Sequence, residues 1–312
     1  MKKTWVYLII LFTVFSCQKE DNSIVGWEKQ TNNSINNTTL NYLAISGSNI
    51  YAATDNLKNT LYKSVDGGVN WIEVSSIPKK ANSITLWNQY VFAGTSDGIY
   101  RSSDNGVTWI AINNGLPLLF GSIETVVPFE CNNNIYAYYS YSGDVYKAEN
   151  NGESWTCVTG GLNIATGAFT IIGTTFISGT YKGVYHSDDD GETWTAAIKN
   201  KADIETFSIS GTNVVGGASN GLYYSTDYGA NWVQSKIIDE DYQSLSIRCF
   251  VVSGKNIYAG TETHGIYFSS DNGVNWSNFN TGFTDVPTCY SLFVSGGNLY
   301  ARTSRGLWKR QL

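Results

Sequence analysis

Residues 269–276 read Ser269-Ser270-Asp271-Asn272-Gly273-Val274-Asn275-Trp276, and their skeleton, Ser-x-Asp-x-Gly-x-(Thr/Asn)-Trp, is repeated. It stands as Ser64-Asp66-Gly68-Asn70-Trp71, Ser102-Asp104-Gly106-Thr108-Trp109, Ser187-Asp189-Gly191-Thr193-Trp194 and Ser225-Asp227-Gly229-Asn231-Trp232. A degenerate copy is Ala148-Asn150-Gly152-Ser154-Trp155. Successive tryptophans from Trp71 to Trp276 are 38, 46, 39, 38 and 44 residues apart. A period of this size marks a stacked repeat architecture.

Each copy sits in a larger unit. An apolar run such as Ser246–Val252 comes first. A short turn leads to a second run, Asn256–Thr261, and a Gly-containing turn to a third, Gly265–Ser269. The Asp motif then turns the chain into a fourth run at Trp276. Apolar/polar alternation bounded by Gly, Asn, Asp and Ser reads as β-hairpins, and four strands per unit is a propeller blade.

The second-strand signature recurs as Ile50-Tyr51, Val91-Phe92, Ile135-Tyr136, Phe176-Ile177, Val214-Val215, Ile257-Tyr258 and Leu299-Tyr300. A third strand follows each one, but the chain ends at Leu312 before a last fourth strand. Val25-Gly26-Trp27-Glu28-Lys29 resembles Val69-Asn70-Trp71-Ile72-Glu73, so residues 24–31 are expected to supply that strand beside Gly306–Gln311. Such a join closes the ring and protects its edges. The expectation is an all-β, seven-bladed propeller of four-stranded antiparallel blades over residues 24–312.

The motif itself reads as structural. A short Asp side chain accepts backbone N–H bonds and fixes a turn. Gly permits positive φ, and Trp is expected to bury its ring in the core. Asp66, Asp104, Asp189, Asp227 and Asp271, with Trp27, Trp71, Trp109, Trp155, Trp194, Trp232 and Trp276, are therefore assigned to the scaffold. Ser187-Asp188-Asp189-Asp190-Gly191 lacks the downstream Glu of a calcium loop and aligns with the other copies. These residues resemble the Asp-box, or BNR, repeat of sialidases, sortilin-type receptors, xyloglucanases and photosystem II assembly factors. The resemblance covers nearly the whole chain and implies the propeller fold.

The chain has 312 residues, 42% hydrophobic and 14% aromatic, with only 15% charged and 31 Gly. That composition argues against disorder and against a helical bundle. The net charge of −6, with no basic patch, argues against nucleic-acid binding. His186 and His264 lack ligand spacing, so neither a metal nor any other cofactor is expected.

Lys2 and Lys3 precede an apolar run from Trp5 to Phe15, too short to span a bilayer. Val14-Phe15-Ser16-Cys17 resembles a bacterial lipobox. Residues 1–16 then read as a lipoprotein signal peptide, Cys17 as the lipidated residue and 17–23 as its tether. Gln18-Lys19-Glu20-Asp21 resembles a surface-export signal of Gram-negative lipoproteins, which implies an outer-membrane location with outward display. Cys131, Cys157, Cys249 and Cys289 remain. Cys131 is expected near a turn, Cys157 in an outer strand, and Cys249 and Cys289 in inner strands of neighbouring blades, as buried free thiols. Pairing is not legible from sequence.

Aligned first strands place Asn41, Asn82, Glu124, Gly167, Glu205, Arg248 and Tyr290 in equivalent positions. Arg302 stands where other units have a small residue such as Gly94, Gly179, Gly217 or Gly260. Departures from a repeat are where a special role is expected. The candidate ligand-binding set is Arg248, Arg302, Arg305 and Tyr290 with Glu205, Glu124 and His264, the three guanidiniums suiting carboxylate or phosphate. Pairing of these arginines with Glu205 or Glu262 is the competing reading. Only five Arg exist, and three lie in two units, so a sialidase-type arginine triad does not fit. The longest connections fall near Asn113–Gly121, Ile237–Gln243 and Phe279–Thr288.

The expected function is a monomeric, non-catalytic binding or scaffolding propeller, anchored to a membrane by lipid alone, recognising a glycan or an envelope protein. The alternatives are a BNR-type glycoside hydrolase acting on extracellular glycans, or an envelope assembly factor. A compact acid pair in a deep pocket favours the enzyme, and a broad shallow aromatic surface favours binding.

Overall fold

Short alternating runs can satisfy their backbone only by pairing with neighbours. Here each run pairs antiparallel with the next, through tight turns. The computed structural model describes residues 26–29, 40–46, 49–54, 59–65, 71–117, 126–131, 133–139, 142–162, 164, 166–199, 203–238, 245–295 and 297–312. The signal peptide, Cys17, the tether, Asp66 and Glu124 lie outside them.

Seven sheets result, the blades of a seven-bladed β-propeller with almost no helix. Blade one is Leu40–Ser46, Asn49–Thr54, Thr60–Ser64 and Ile72–Ser76. Blade two is Ala81–Trp87, Tyr90–Thr95, Gly98–Ser102 and Ile110–Ala111. Blade three is Val126–Cys131, Asn134–Tyr139, Asp144–Glu149 and Ser154–Cys157. Blade four is Thr166–Ile172, Thr175–Thr180, Gly183–Ser187 and Thr195–Lys199. Blade five is Ile204–Ser210, Asn213–Ala218, Gly221–Ser225 and Val233–Gln234. Blade six is Ile247–Ser253, Asn256–Thr261, Ile266–Ser269 and Asn275–Asn278. Blade seven is Cys289–Ser295, Asn298–Thr303, Gly306–Gln311 and, from the other end of the chain, Glu28–Lys29.

That last strand is the expected one. Glu28 pairs with Lys309 and Lys29 with Trp308. Trp27 N–H donates to the Thr281 carbonyl at 2.9 Å, and its ring stacks on Phe283 at 5.1 Å. One element departs from the expected pattern: the segment after blade five does not run free from Ile237. Lys236–Ile237 pairs in parallel with Asn275 and Trp276, making blade six five-stranded.

The contacts group blades one to three into one compact unit and blades four to seven into another. In the first, Tyr51, Leu61, Ile84 and Ala93 form one core, and Phe92, Ile99, Val126 and Trp155 a second. In the other, Ile177, Ile204 and Val214 pack together, Val215, Ile247 and Trp276 form the next core, and Tyr258, Leu299 and Trp308 the last. Within each unit the first strands of successive blades lie side by side.

Close approach between blades depends on the fifth residue of the second strand. A Cβ on Gly217 would stand 2.5 Å from Ile247 Cγ2, and one on Gly260 would stand 2.6 Å from both Cys249 Sγ and Cys289 Sγ. The side chain at the third position of one first strand and that at the start of the next thus converge over this glycine. The position reads Ala53, Gly94 and Tyr138 through one unit and Gly179, Gly217, Gly260 and Arg302 through the other. The bulky residue stands in the last blade of each.

The Asp motif builds one turn four times over. In blade two, Ser102 Oγ donates to Asp104 Oδ1 at 2.8 Å and accepts the Gly106 N–H at 2.7 Å. Asp104 then accepts the Thr108 N–H at 2.8 Å and the Thr108 hydroxyl at 2.6 Å. Asp189, Asp227 and Asp271 repeat this with Thr193, Asn231 and Asn275. These bonds hold Asp104 and Asp189 down to about 2, with the Thr108 and Thr193 hydroxyls contributing most. Burial pushes Asp227 and Asp271 upward, but the bonds from Asn231 and Asn275 outweigh it and leave both below their ordinary value. The serine is the buried pivot, a larger role than the sequence assigns it.

The expectation that every motif tryptophan fills the core needs correction. Trp27, Trp155 and Trp276 are buried, whereas Trp71, Trp109, Trp194 and Trp232 are only half-buried. An Asp-box turn sits at the blade's rim, so its Trp covers an edge instead of filling a centre. Trp276 is buried because the added Lys236–Ile237 strand lies over it.

Candidate functional site

In blades two, four, five and six the Asp-box turn lies at the same end as the turn between first and second strands. The other end carries the starts of the first strands and the turns between second and third strands. Two local devices shape it.

The first is a bulge. Register slips by one residue between Leu40 and Tyr42, Ala81 and Ser83, Thr166 and Ala168, Ile204 and Thr206, Ile247 and Cys249, and Cys289 and Ser291. The residues skipped are Asn41, Asn82, Gly167, Glu205, Arg248 and Tyr290. These are the first-strand positions that sequence alignment singles out. A bulge leaves its residue out of the ladder and re-aims the side chain. Glu205 and Arg248 are accordingly exposed and Tyr290 half-buried.

The second device is absent from the sequence-based expectations. Thr95, Thr180, Thr261 and Thr303 end their second strands and are buried. Thr95 Oγ1 donates to the Gly98 carbonyl at 2.8 Å, Thr180 Oγ1 to Gly183 at 2.9 Å and Thr261 Oγ1 to Gly265 at 2.9 Å. Each oxygen also accepts a turn N–H, from Asp97, Lys182 or His264, and Thr303 accepts that of Arg305. The signal was visible as the repeated Ala-Gly-Thr, Ser-Gly-Thr and Ala-Arg-Thr strand ends. In blades two, four and seven the N–H comes from the second residue after the threonine, a charged one each time, whereas the blade-six turn is one residue longer and uses His264.

In blades six and seven the candidate residues share this end. Arg248 Nη2 meets Glu262 Oε1 at 2.5 Å, and Ser246 Oγ donates to Glu262 Oε2 at 3.1 Å. The hydrogen bond from Arg248, with help from Ser246, holds the Glu262 carboxyl below its usual range. Arg305 is ion-paired with Asp285, a partner outside the sequence-based set. Arg302 is different: its guanidinium lies over the Tyr290 ring at 5.0 Å, half-buried, and desolvation pulls its pKa down. His264 Nδ1 lies 2.8 Å from Thr263 Oγ1. In blade four Lys182 sits over the Tyr181 ring at 5.5 Å, and that ring is 65% exposed. Glu205 stands on the neighbouring blade and Arg248 takes Glu262, so of the two partners weighed for the arginines only Glu262 is bonded to one.

Two acids at this end of blades six and seven, Glu262 and Asp285, are each engaged by an arginine, while Glu205 of blade five stands exposed. Among the described residues, no three His, Cys, Asp or Glu side chains are gathered as metal ligands would be. At the Asp-box end of blades one and two a cavity of about 100 Å³ is lined by Asn49, Tyr51, Leu86, Tyr90 and Asn105. It is smaller than a typical ligand pocket, and Tyr51 and Lys63 already donate to Asn105 Oδ1 there.

No protein-family model matches the chain, and no curated protein sequence does. Solved structures match its fold. YCF48 bound to a D1 peptide superposes with a TM-score of 0.66 at 12% identity, over 94% of this chain and 96% of that one. The extracellular domain of BT4673 from B. thetaiotaomicron gives 0.64 at 14% identity, over 91% of this chain and 39% of that one. BamB from Moraxella catarrhalis gives 0.60 at 12% identity, over 88% and 86%. At such identities the likeness is one of fold.

Proposed function

We propose that this chain is a non-catalytic binding or scaffolding propeller, held at the bacterial outer membrane by a lipid on Cys17, that takes an acidic protein segment on the turn end of blades four to seven. The observation that carries this reading is the state of the charged groups. Glu262 and Asp285 are neutralised by Arg248 and Arg305, while Lys182, Arg302, Tyr181 and Tyr290 form cation-on-ring surfaces. Such a surface suits recognition through exchange of ion pairs and aromatic stacking. General acid–base hydrolysis instead asks for two free carboxyls facing one another.

One solved neighbour supports a protein ligand by analogy of fold, YCF48 with its bound D1 peptide. No metal or cofactor enters this reading, and a monomer suffices. The test is a thermal-shift panel on the full chain with polyglutamate peptides, neutral peptides, and acidic and neutral oligosaccharides. A ligand at 100 times its Kd adds about 2.7 kcal/mol. The reading expects a shift with acidic peptides that is lost in the Arg248→Ala/Arg305→Ala double variant. A shift confined to glycans moves the assignment to glycan recognition, and release of reducing sugar on that same glycan replaces it with the hydrolase.

A further inference from the structure

Cys249 and Cys289 are the pair of side chains that converge over the Gly260 backbone. Cys249 is the third residue of the blade-six first strand, and Cys289 the first residue of the blade-seven first strand. Elsewhere in the unit the same two positions hold Ala168 with Ile204, and Thr206 with Ile247. Here they hold two thiols. Each sulfur lies 2.6 Å from where a Gly260 Cβ would stand, so both crowd the space that the missing side chain leaves. The thiols are within hydrogen-bonding reach of each other, and the Arg302 guanidinium interacts electrostatically with both. Neither is engaged in a disulfide in this structure. Cys289 is fully buried, while Cys249 is half-buried and so open to a reagent.

We infer that Cys249 and Cys289 form a redox-active dithiol that closes to a disulfide stapling blade six to blade seven when a disulfide-donating oxidant is present. Cys249 loses its proton to solvent, and its thiolate attacks one sulfur of the oxidant's S–S bond. That bond breaks, one oxidant thiolate leaves, and Cys249 is held as a mixed disulfide. Cys289 then loses its proton and attacks Cys249 Sγ, expelling the second oxidant thiolate. Two protein thiols are oxidised and one reagent disulfide is reduced to two thiols. The hydrogen bond with Cys249 and burial push the Cys289 thiol well above its ordinary value, and the nearby Arg302 guanidinium only partly opposes them. The link spans strands from opposite sides of a blade junction, where a staple restrains separation most.

The test is peptide mapping of the full chain. The native protein is equilibrated in a buffer of oxidised and reduced glutathione, quenched in acid, alkylated while denatured and digested without reduction. The expected product is one linked peptide joining Cys249 to Cys289, with Cys131 and Cys157 alkylated. The melting temperature should rise by roughly 5 °C, reversibly with dithiothreitol. Cys249→Ala and Cys289→Ala should each abolish the linked peptide and the rise. Recovery of Cys249 and Cys289 as alkylated thiols, as glutathione adducts only, or in links scrambled with Cys131 and Cys157, overturns the inference. The wild-type map decides it even if one variant does not fold.

Discussion

Trp155 and Trp232 occupy the same repeat position and do different work. Trp232 follows an intact Asp-box. Its indole N–H donates at 2.8 Å to the carbonyl of Gly229 in its own turn, and its ring is half-buried. Trp194 and Trp276 bond in the same way, to Gly191 and Gly273. Trp155 follows a copy in which Ser and Asp have become Ala148 and Asn150. Its N–H reaches 2.6 Å to the Ile112 carbonyl of blade two, and its ring is buried. Trp27, with no Ser-x-Asp ahead of it, behaves likewise and donates at 2.7 Å to Phe279 of blade six. In the intact boxes of Trp194, Trp232 and Trp276 the Trp closes its own turn, whereas Trp109, also behind an intact box, donates at 3.2 Å to Ser75 Oγ of blade one. Where the box decays, the Trp leaves the turn and fastens one blade to the one before.

Trp155→Ala should therefore be the most damaging single change. It empties a core and strands a buried carbonyl, at a cost of roughly 3–5 kcal/mol. Trp232→Ala should cost less than half of that, and denaturant titration of both variants measures the difference. Equal losses would break the distinction.

Gly273→Ala comes next. Gly273 has φ +87°, and an added Cβ would overlap Val215 Cγ1 of blade five. Backbone strain and overpacking together predict a loss of about 2–3 kcal/mol. Asp271→Ala opens the turn without touching the neighbouring blade and should cost about 1–2 kcal/mol, as loss of a helix cap does. Asn at the same position should recover part of it, since its amide oxygen can still accept the Asn275 N–H.

The smallest effect is that of acid on the intact boxes. Asp104 and Asp189 are held at about 2 in the folded chain, against an ordinary 3.8. A lowered folded value stabilises above the unfolded one, and that contribution fades as pH falls from about 4 through 2. Melting temperature against pH should drop over that window. Asp104→Asn should flatten part of the drop, whereas Trp155→Phe should lower the curve without changing its slope.

Blade count, strand order and the strand borrowed from residues 28–29 were all legible because each is a local pattern repeated many times. The bulge residues were legible for the same reason: Glu205, Arg248 and Tyr290 stand at one repeat position whatever surrounds them. The threonine caps were missed although the strand ends repeat, because the repeat alone does not tell a capping hydroxyl from an ordinary strand Thr until it is seen buried against a turn carbonyl. The Arg305–Asp285 pair was missed because Asp285 sits in a connection without a repeat equivalent.

By itself, then, the sequence determined the number of blades, the place of ring closure, and which positions depart from the repeat. A period of about forty residues sums many weak local preferences into one strong signal. Only the tertiary structure decided which tryptophans are buried, which acids the arginines engage, and that two cysteines forty residues apart share one small space beside Gly260. Those outcomes depend on what the neighbouring blade presents, and a pattern read along one blade carries no term for the next.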